Sequence, residues 1–199
     1  MSFRTLLPLL LFALLSFPST PAVSQETQAP SLSGKGTAAA PYLISTAEQL
    51  REIEKAPLAY YRLERDLSLE GMWTPLCRKT PFGGTLDGNR KEIVSMKIEA
   101  DDCDAVGLFA QIGESGRVRN LEISGQIRTA DSTKTAGAVA GRLLGGAVCD
   151  VICRVDIAVD ASTPADASIG GLAGYSEGVV FYCEYQGEIR DARSSGGAV

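Results

Sequence analysis

The chain has 199 residues, 19 basic against 24 acidic, and no histidine. That length suffices for one domain with a modest core. A net charge of −5 argues against nucleic acid and anionic membrane surfaces as partners. The missing histidine removes the usual general base, the commonest metal ligand and the pH switch together.

Taken in chain order, the first stretch reads as a secretory signal. Arg4 supplies the positive charge, Leu6 to Phe17 is an almost unbroken apolar run, and Ala22 and Ser24 stand at the spacing a signal peptidase reads. The run is about a dozen residues, short of the roughly 20 that a spanning helix needs. Residues 1–24 are therefore expected to be cleaved. The remaining chain carries 18 basic and 24 acidic residues and no further span, and is expected in the periplasm, at the cell surface or in the medium. Residues 25–40 are small, polar and Pro/Gly-containing, and read as a linker. Residues 41–44 form a short extended run. Ser45 and Glu48 stand at capping-box spacing before Leu50 and Ile53, which predicts a helix over 46–55 with Ser45 accepting at its start.

Beyond residue 60 the helical period is lost and the chain repeats itself. The segment from Val106 to Ile127 aligns without a gap on that from Ala136 to Ile157, and with one residue deleted on that from Ile169 to Ile189. Gly107, Gly137 and Gly170 coincide, as do Phe109, Val139 and Leu172. Further columns are Val118, Val148 and Val180; Leu121, Val151 and Cys183; Ile123, Cys153 and Tyr185; and Ile127, Ile157 and Ile189. An earlier half-unit, Ile93 to Ile98, overlays Val118 to Ile123, giving steps of 25, 30 and 32 residues from Ile93 to Val180. Strand-length, β-branched columns with glycine turns at such a period predict a solenoid, since only a stacked neighbour can bury each unit's apolar stripe. Leu121 and Ile123 share parity and Val118 does not, which predicts a corner near Arg119 and Asn120. The expected fold is all-β, a short parallel β-helix over 41–189 with a small N-terminal helical cap. Residues 190–199 are expected to begin an incomplete further repeat. Gly197-Ala198-Val199 repeats the Gly137-Ala138-Val139 pattern, so the last coil is expected to be uncapped and open to self-association.

Several segments together carry a resemblance. They are Gly36-Thr37; Pro41 to Leu50; Trp73-Thr74-Pro75; Pro81 to Asn89, which reads PFGGTLDGN; Val106 to Phe109; and Asn120-Leu121. This set resembles the GLUG-motif family, repeat segments of bacterial secreted and surface proteins that include regions flanking IgA-specific metallopeptidases and some haemagglutinin-like adhesins. The resemblance spans roughly 36 to 189. It implies a right-handed parallel β-helix and a bacterial source, and no activity. The pattern departs at Asn120, whose place is taken by Asp150 and Tyr182 in later units.

Candidate chemistry is sparse. Gly174 to Gly178 reads GYSEG, the spacing of a nucleophile elbow, but that chemistry needs a histidine and the stretch aligns with ordinary repeat turns. Glu99, Asp101, Asp102 and Asp104 crowd one loop, a weak calcium candidate without EF-hand spacing. Of five cysteines, Cys77 and Cys103 lie in two loops and are the expected disulfide where those loops meet; an odd count leaves at least one thiol free. Trp73, Tyr60, Tyr61 and Phe82 are candidate glycan-stacking residues, with packing under the helical cap as the competing role. The zinc-binding HExxH pattern is absent, so no protease chemistry follows from the resemblance. No cofactor is expected. The functional expectation is a non-catalytic adhesion or binding module taking a glycan or a host or surface protein. A carbohydrate-active β-helix enzyme or its remnant, or a structural fragment of a longer surface protein, are the alternatives.

Overall fold

A computed structural model describes residues 31–195. Signal residues 1–24, the start of the linker and the 197–199 repeat lie outside the described residues. The chain forms β1 (Tyr42–Ile44), α1 (Ala47–Arg51) with a 3-10 turn over Glu52–Lys55, β2 (Tyr60–Leu63), β3 (Leu67–Ser68), β4 (Thr85–Glu99), β5 (Ala105–Val106), β6 (Phe109–Ile112) and β7 (Arg117–Arg128). There follow β8 (Thr135–Ala136), β9 (Ala140–Leu143), β10 (Ala147–Val159), β11 (Ser168–Ile169), β12 (Ala173–Ser176), β13 (Val179–Phe181), β14 (Glu184–Tyr185) and β15 (Ile189–Asp191).

Every one of these strand pairs is parallel. The strands fall into three sheets. The large one runs β1-β2-β4-β7-β10-β13, with β3, β14 and β15 branching from it; the two small ones run β11-β8-β5 and β12-β9-β6. Parallel neighbours one coil apart, in three sheets, make a β-solenoid of about four turns.

The repeat columns are real neighbours. Val118 faces Val148, Leu121 faces Val151, Ile123 faces Cys153 and Ile127 faces Ile157 in one register. Val148 faces Val180, Cys153 faces Tyr185 and Ile157 faces Ile189 in the next. Between β6 and β9 the pairing runs one residue further than the sequence alignment, with Phe109 opposite Ala140. The expected corner is present. Asn120, Asp150 and Tyr182 all have φ near +53° (52°, 53° and 54°), the left-handed conformation that turns a strand through a corner.

The half-unit overlay is wrong. Ile93 faces Ile123, not Val118; Leu86 is the residue opposite Val118, and Ile98 faces Ile127. Strand β4 carries two register shifts, between Asp87 and Lys91 and between Ile93 and Met96, where Asn89, Arg90 and Ser95 have positive φ. The second shift spaces Ile93, Met96 and Ile98 like Val118, Leu121 and Ile123, and the two patterns are indistinguishable by spacing alone.

The N-terminal cap is displaced by one residue from its expected start. Thr46, not Ser45, caps α1, accepting from the Gln49 amide at 3.2 Å, while Gln49 Oε1 accepts from the Ser45 amide at 2.7 Å. Leu50 and Ile53 are fully buried against the first coil. The described part of the linker is ordered by backbone bonds rather than loose. Leu43 donates to the Ser33 carbonyl at 2.9 Å along the outer edge of β1, and Tyr60 donates to the Gly36 carbonyl at 3.0 Å.

Glycine is required where coils touch through backbone. A Cβ on Gly137 would lie 2.5 Å from Ala173 Cα, and one on Gly107 would lie 2.4 Å from the Gly137 carbonyl oxygen. The Gly107, Gly137 and Gly170 column thus lets successive coils approach closely along one face.

Candidate binding surfaces

The aromatic residues singled out by sequence are mostly interior. Tyr61, Phe82 and Trp73 are buried, and only Tyr60 is exposed. Tyr42, Tyr61, Phe82 and Phe109 form a run of ring contacts with centroid separations of 5.6, 6.4 and 4.7 Å, so these rings pack under and beside the cap. Trp73 is covered by the Arg51 guanidinium 4.1 Å from its ring, which occupies the face a sugar would need. Tyr61, Phe82 and Trp73 are therefore core residues, not glycan contacts.

The expected disulfide is not formed; all five cysteines are free thiols. The two loops do meet, since an Arg78 guanidinium nitrogen donates to the Asp102 carbonyl. Cys77, however, sits at φ 59° and is fully buried, its amide donating to the Glu54 carboxylate of the cap. Burial pushes its thiol up to about 12. Cys103 fills a different role, ending a turn whose amide donates to the Ala100 carbonyl. Thr133 and Thr163 end equivalent turns in the next two coils, and all three side chains are buried.

The four loop acids do not converge. Among the described residues no group of three or more acids and thiols is placed to hold a metal ion. Asp104 instead pairs with Arg142 of the next coil at 2.7 Å, and Glu99 lies 3.9 Å from Lys97. The GYSEG stretch is the end of β12 and the two-residue turn that leads into β13. There the Ser176 hydroxyl donates to the Gly178 carbonyl at 3.4 Å and the Tyr175 hydroxyl donates to Glu177 at 2.6 Å.

What the sequence reading missed is the order of the outward side chains. Ion pairs link successive coils: Asp87 with Arg119 at 3.0 Å, Glu122 with Arg154 at 2.6 Å and Arg128 with Asp160 at 2.8 Å. The Ser162 amide, the Arg128 guanidinium and the Ser162 hydroxyl hold the Asp160 carboxyl down at about 2. At Asp87 burial acts upward, but bonds from Asn120, the Asn89 amide and Arg119 outweigh it and leave the carboxyl below its usual range. A groove of about 270 Å³ crosses four coils on this face. Its walls are two outward columns two residues apart, Lys97, Gln126, Asp156 and Glu188 on one side, Glu99, Arg128 and Arg190 on the other. The signal was present in the sequence as outward partners of the Ile98, Ile127, Ile157 and Ile189 column.

A second exposed surface lies at the last coil. Tyr175, Val179, Val180, Phe181, Tyr182 and Ile189 are all exposed, with Phe181 and Tyr182 edge to face at 5.6 Å between centroids.

No family model matches the chain. Over 122 residues, 56% of the chain, it is 33% identical to a protein of Evansella cellulosilytica named "Putative Gly-rich membrane protein", of which it covers 14%. Over 157 residues, 72% of the chain, it is 31% identical to "Halomucin" of Haloquadratum walsbyi, of which it covers 2%. The chain thus spans a small fraction of the curated relatives it matches. Among solved structures it is similar to one from Bacteroides ovatus titled as a "putative immunoglobulin A1 protease". That likeness has a TM-score of 0.41 at 16% identity, over 82% of this chain and 88% of the other. Among the described residues no helix is long and apolar enough to cross a membrane.

Proposed function

We propose that this chain is a non-catalytic repeat module of the secreted or surface-exposed kind. On this reading it works by binding a glycan along the outer groove of its long sheet. The observation that carries the reading is the chemistry of that groove. Its amide, carboxylates and cations are rung-spaced at about 4.8 Å, and Arg128, Arg190 and Lys97 each face an acid. A compensated lining of donors and acceptors suits a hydroxyl-rich, uncharged chain better than a polyanion, which would need uncompensated cations. The relatives, a Gly-rich membrane protein and a halomucin by name, support a surface role, and the GLUG resemblance points the same way. The lack of histidine, and of a converging acid set among the described residues, supports a binding role over a catalytic one.

The test is a glycan and host-protein array probed with the purified chain, each bound spot then examined for cleavage. Saturable glycan binding without cleavage, weakened by the double substitution Gln126→Ala and Arg128→Ala, is the expected result. Cleaved glycan on the bound spots would replace the reading with an enzyme. Absence of binding on every spot would leave a structural role.

A further inference from the structure

A cleft of about 520 Å³ opens where β2, β4 and β7 begin, whereas the groove lies where β4, β7 and β10 end. Tyr60 faces Thr85 and Thr85 faces Arg117, so the tyrosine and the arginine stand two rungs, roughly 9–10 Å, apart. Thr85 between them is short and buried, and forms the floor. Leu58, 72% exposed, lies over Gly83, where a Cβ would meet its Cδ2 at 2.7 Å. Ser115 closes the side, its hydroxyl donating to the Gly83 carbonyl at 2.8 Å. Among the described residues the Tyr60 ring has no aromatic or guanidinium partner, unlike the ring of Trp73. Of the two cations that line the cleft, Arg119 is paired with Asp87 at 3.0 Å. Among the described residues the exposed Arg117 guanidinium has no hydrogen-bond or ion-pair partner. The backbone donors are all used. The Gly83 and Gly84 amides donate to the Pro57 carbonyl at 3.0 and 2.8 Å, Thr85 to Ala59 at 3.1 Å, and Arg117 to Gly84 at 2.8 Å.

We propose that this cleft is a second binding site, and that it takes a carboxylated sugar. The sugar ring rests on Tyr60 and Leu58 and its carboxylate on Arg117. A pyranose has an apolar C–H face, which an aromatic ring and an exposed leucine cover without needing a polar partner. The planar guanidinium fork donates to both oxygens of one carboxylate, and a free arginine gives that contact its full charge. The low floor at Thr85 leaves the gap between the two side chains open for the ring. The same features set other anions aside. A phosphate group is held by converging backbone amides, and here those amides are spent within the fold. An added peptide strand needs the same free amides. A sulfated chain needs a row of uncompensated cations, and the cleft has one. This inference does not rest on the groove, whose cations each face an acid.

A carboxylated sugar is a hexuronate or a nonulosonate, and the test separates the two. The isotope-labelled chain is titrated by NMR with trigalacturonate, with sialyllactose and with the methyl ester of each. At least one acid is expected to bind with a Kd of about 1 mM or tighter, and its ester about tenfold more weakly. The amides that move are expected to be those of Gly83, Gly84 and Thr85. Arg117→Gln should reproduce the tenfold loss on the acid and leave the ester unchanged. Tyr60→Ala should weaken both, while Tyr60→Phe keeps the stacking face and the affinity. Gln126→Ala with Arg128→Ala, in the groove, should alter neither, which separates this site from the groove reading. Thermal unfolding of each variant checks that it folds. Failure of both acids to bind up to about 10 mM overturns the proposal. So does equal binding of acid and ester, or binding that moves the groove amides instead. N-acetylphenylalanine, a carboxylate without a sugar, overturns it as well if it binds as tightly as the acids.

Discussion

The first and last described coils obey the same repeat and carry different burial. At the first, Leu50 and Ile53 of the capping segment complete the core, and even an aromatic as large as Tyr61 is buried. At the last, the residues that continue the same columns remain half in water. Between the middle coils and the last described one the side chains do not differ in kind, Val180 for Val148 and Ile189 for Ile157. What differs is the neighbour. In a solenoid each coil is stabilised by the interfaces on both of its sides, and a coil with one interface holds only part of that energy.

The comparison can be broken most strongly at the capped end. Leu50→Ala should cost about 2–5 kcal/mol, the range for a fully buried leucine. Ile189→Ala in the last described coil should cost under about 1 kcal/mol, because only part of its side chain is buried. Chemical denaturation of the two variants checks this, and equal losses would contradict the account. Between the ends, Gly137→Ala should destabilise by about 2 kcal/mol or more, since its Cβ would press on the Ala173 backbone and no side chain can swing away.

A smaller effect sharpens the contrast at the corner column. Asn120 and Asp150 hold the left-handed conformation with side chains that tolerate it, whereas Tyr182 holds it as a bulky aromatic, 83% exposed. Tyr182→Asn should raise stability by about 1 kcal/mol in dilute, monomeric protein, read as an increased Tm.

The smallest effect is in acid. The Asp160 carboxyl is held at about 2 against an ordinary 3.8, so it binds its proton more weakly when folded. Its contribution to stability is therefore present above about pH 4 and is lost as pH falls towards 2. Asp160→Asn should flatten this part of the stability–pH curve, with little change between pH 5 and 7. A wild-type curve that already lacks the slope would contradict the assignment.

The stack from Val118 to Ile189 was legible because its strands keep one register, and equal spacing in sequence becomes equal height in space. The corner at Asn120 was legible from the parity change between Val118 and Leu121. The overlay of Ile93 on Val118 failed because the bulge at Ser95 reproduces a corner's apolar spacing without its position. Trp73, Tyr61 and Phe82 were ambiguous, because an aromatic beside a cap and an aromatic beside a ligand look alike until the cap is placed. The groove was harder still. Its columns, Lys97 with Gln126 and Glu99 with Arg128, have no shared residue type, and only the register of the buried isoleucines brings them together. The exposure of Val180 and Phe181 follows from the lack of a covering strand among the described residues, which no property of those residues encodes.

The account rests on a gradient of burial from a closed first coil to the last described one. Hydrogen–deuterium exchange on dilute, monomeric protein, read strand by strand, tests it most directly. The account predicts that amides of β13, β14 and β15 exchange first, by local opening, while those shared by β4, β7 and β10 exchange last, near the limit of global unfolding. Protection in β13–β15 equal to that in β7, or opening that begins at β1 and α1, would contradict it.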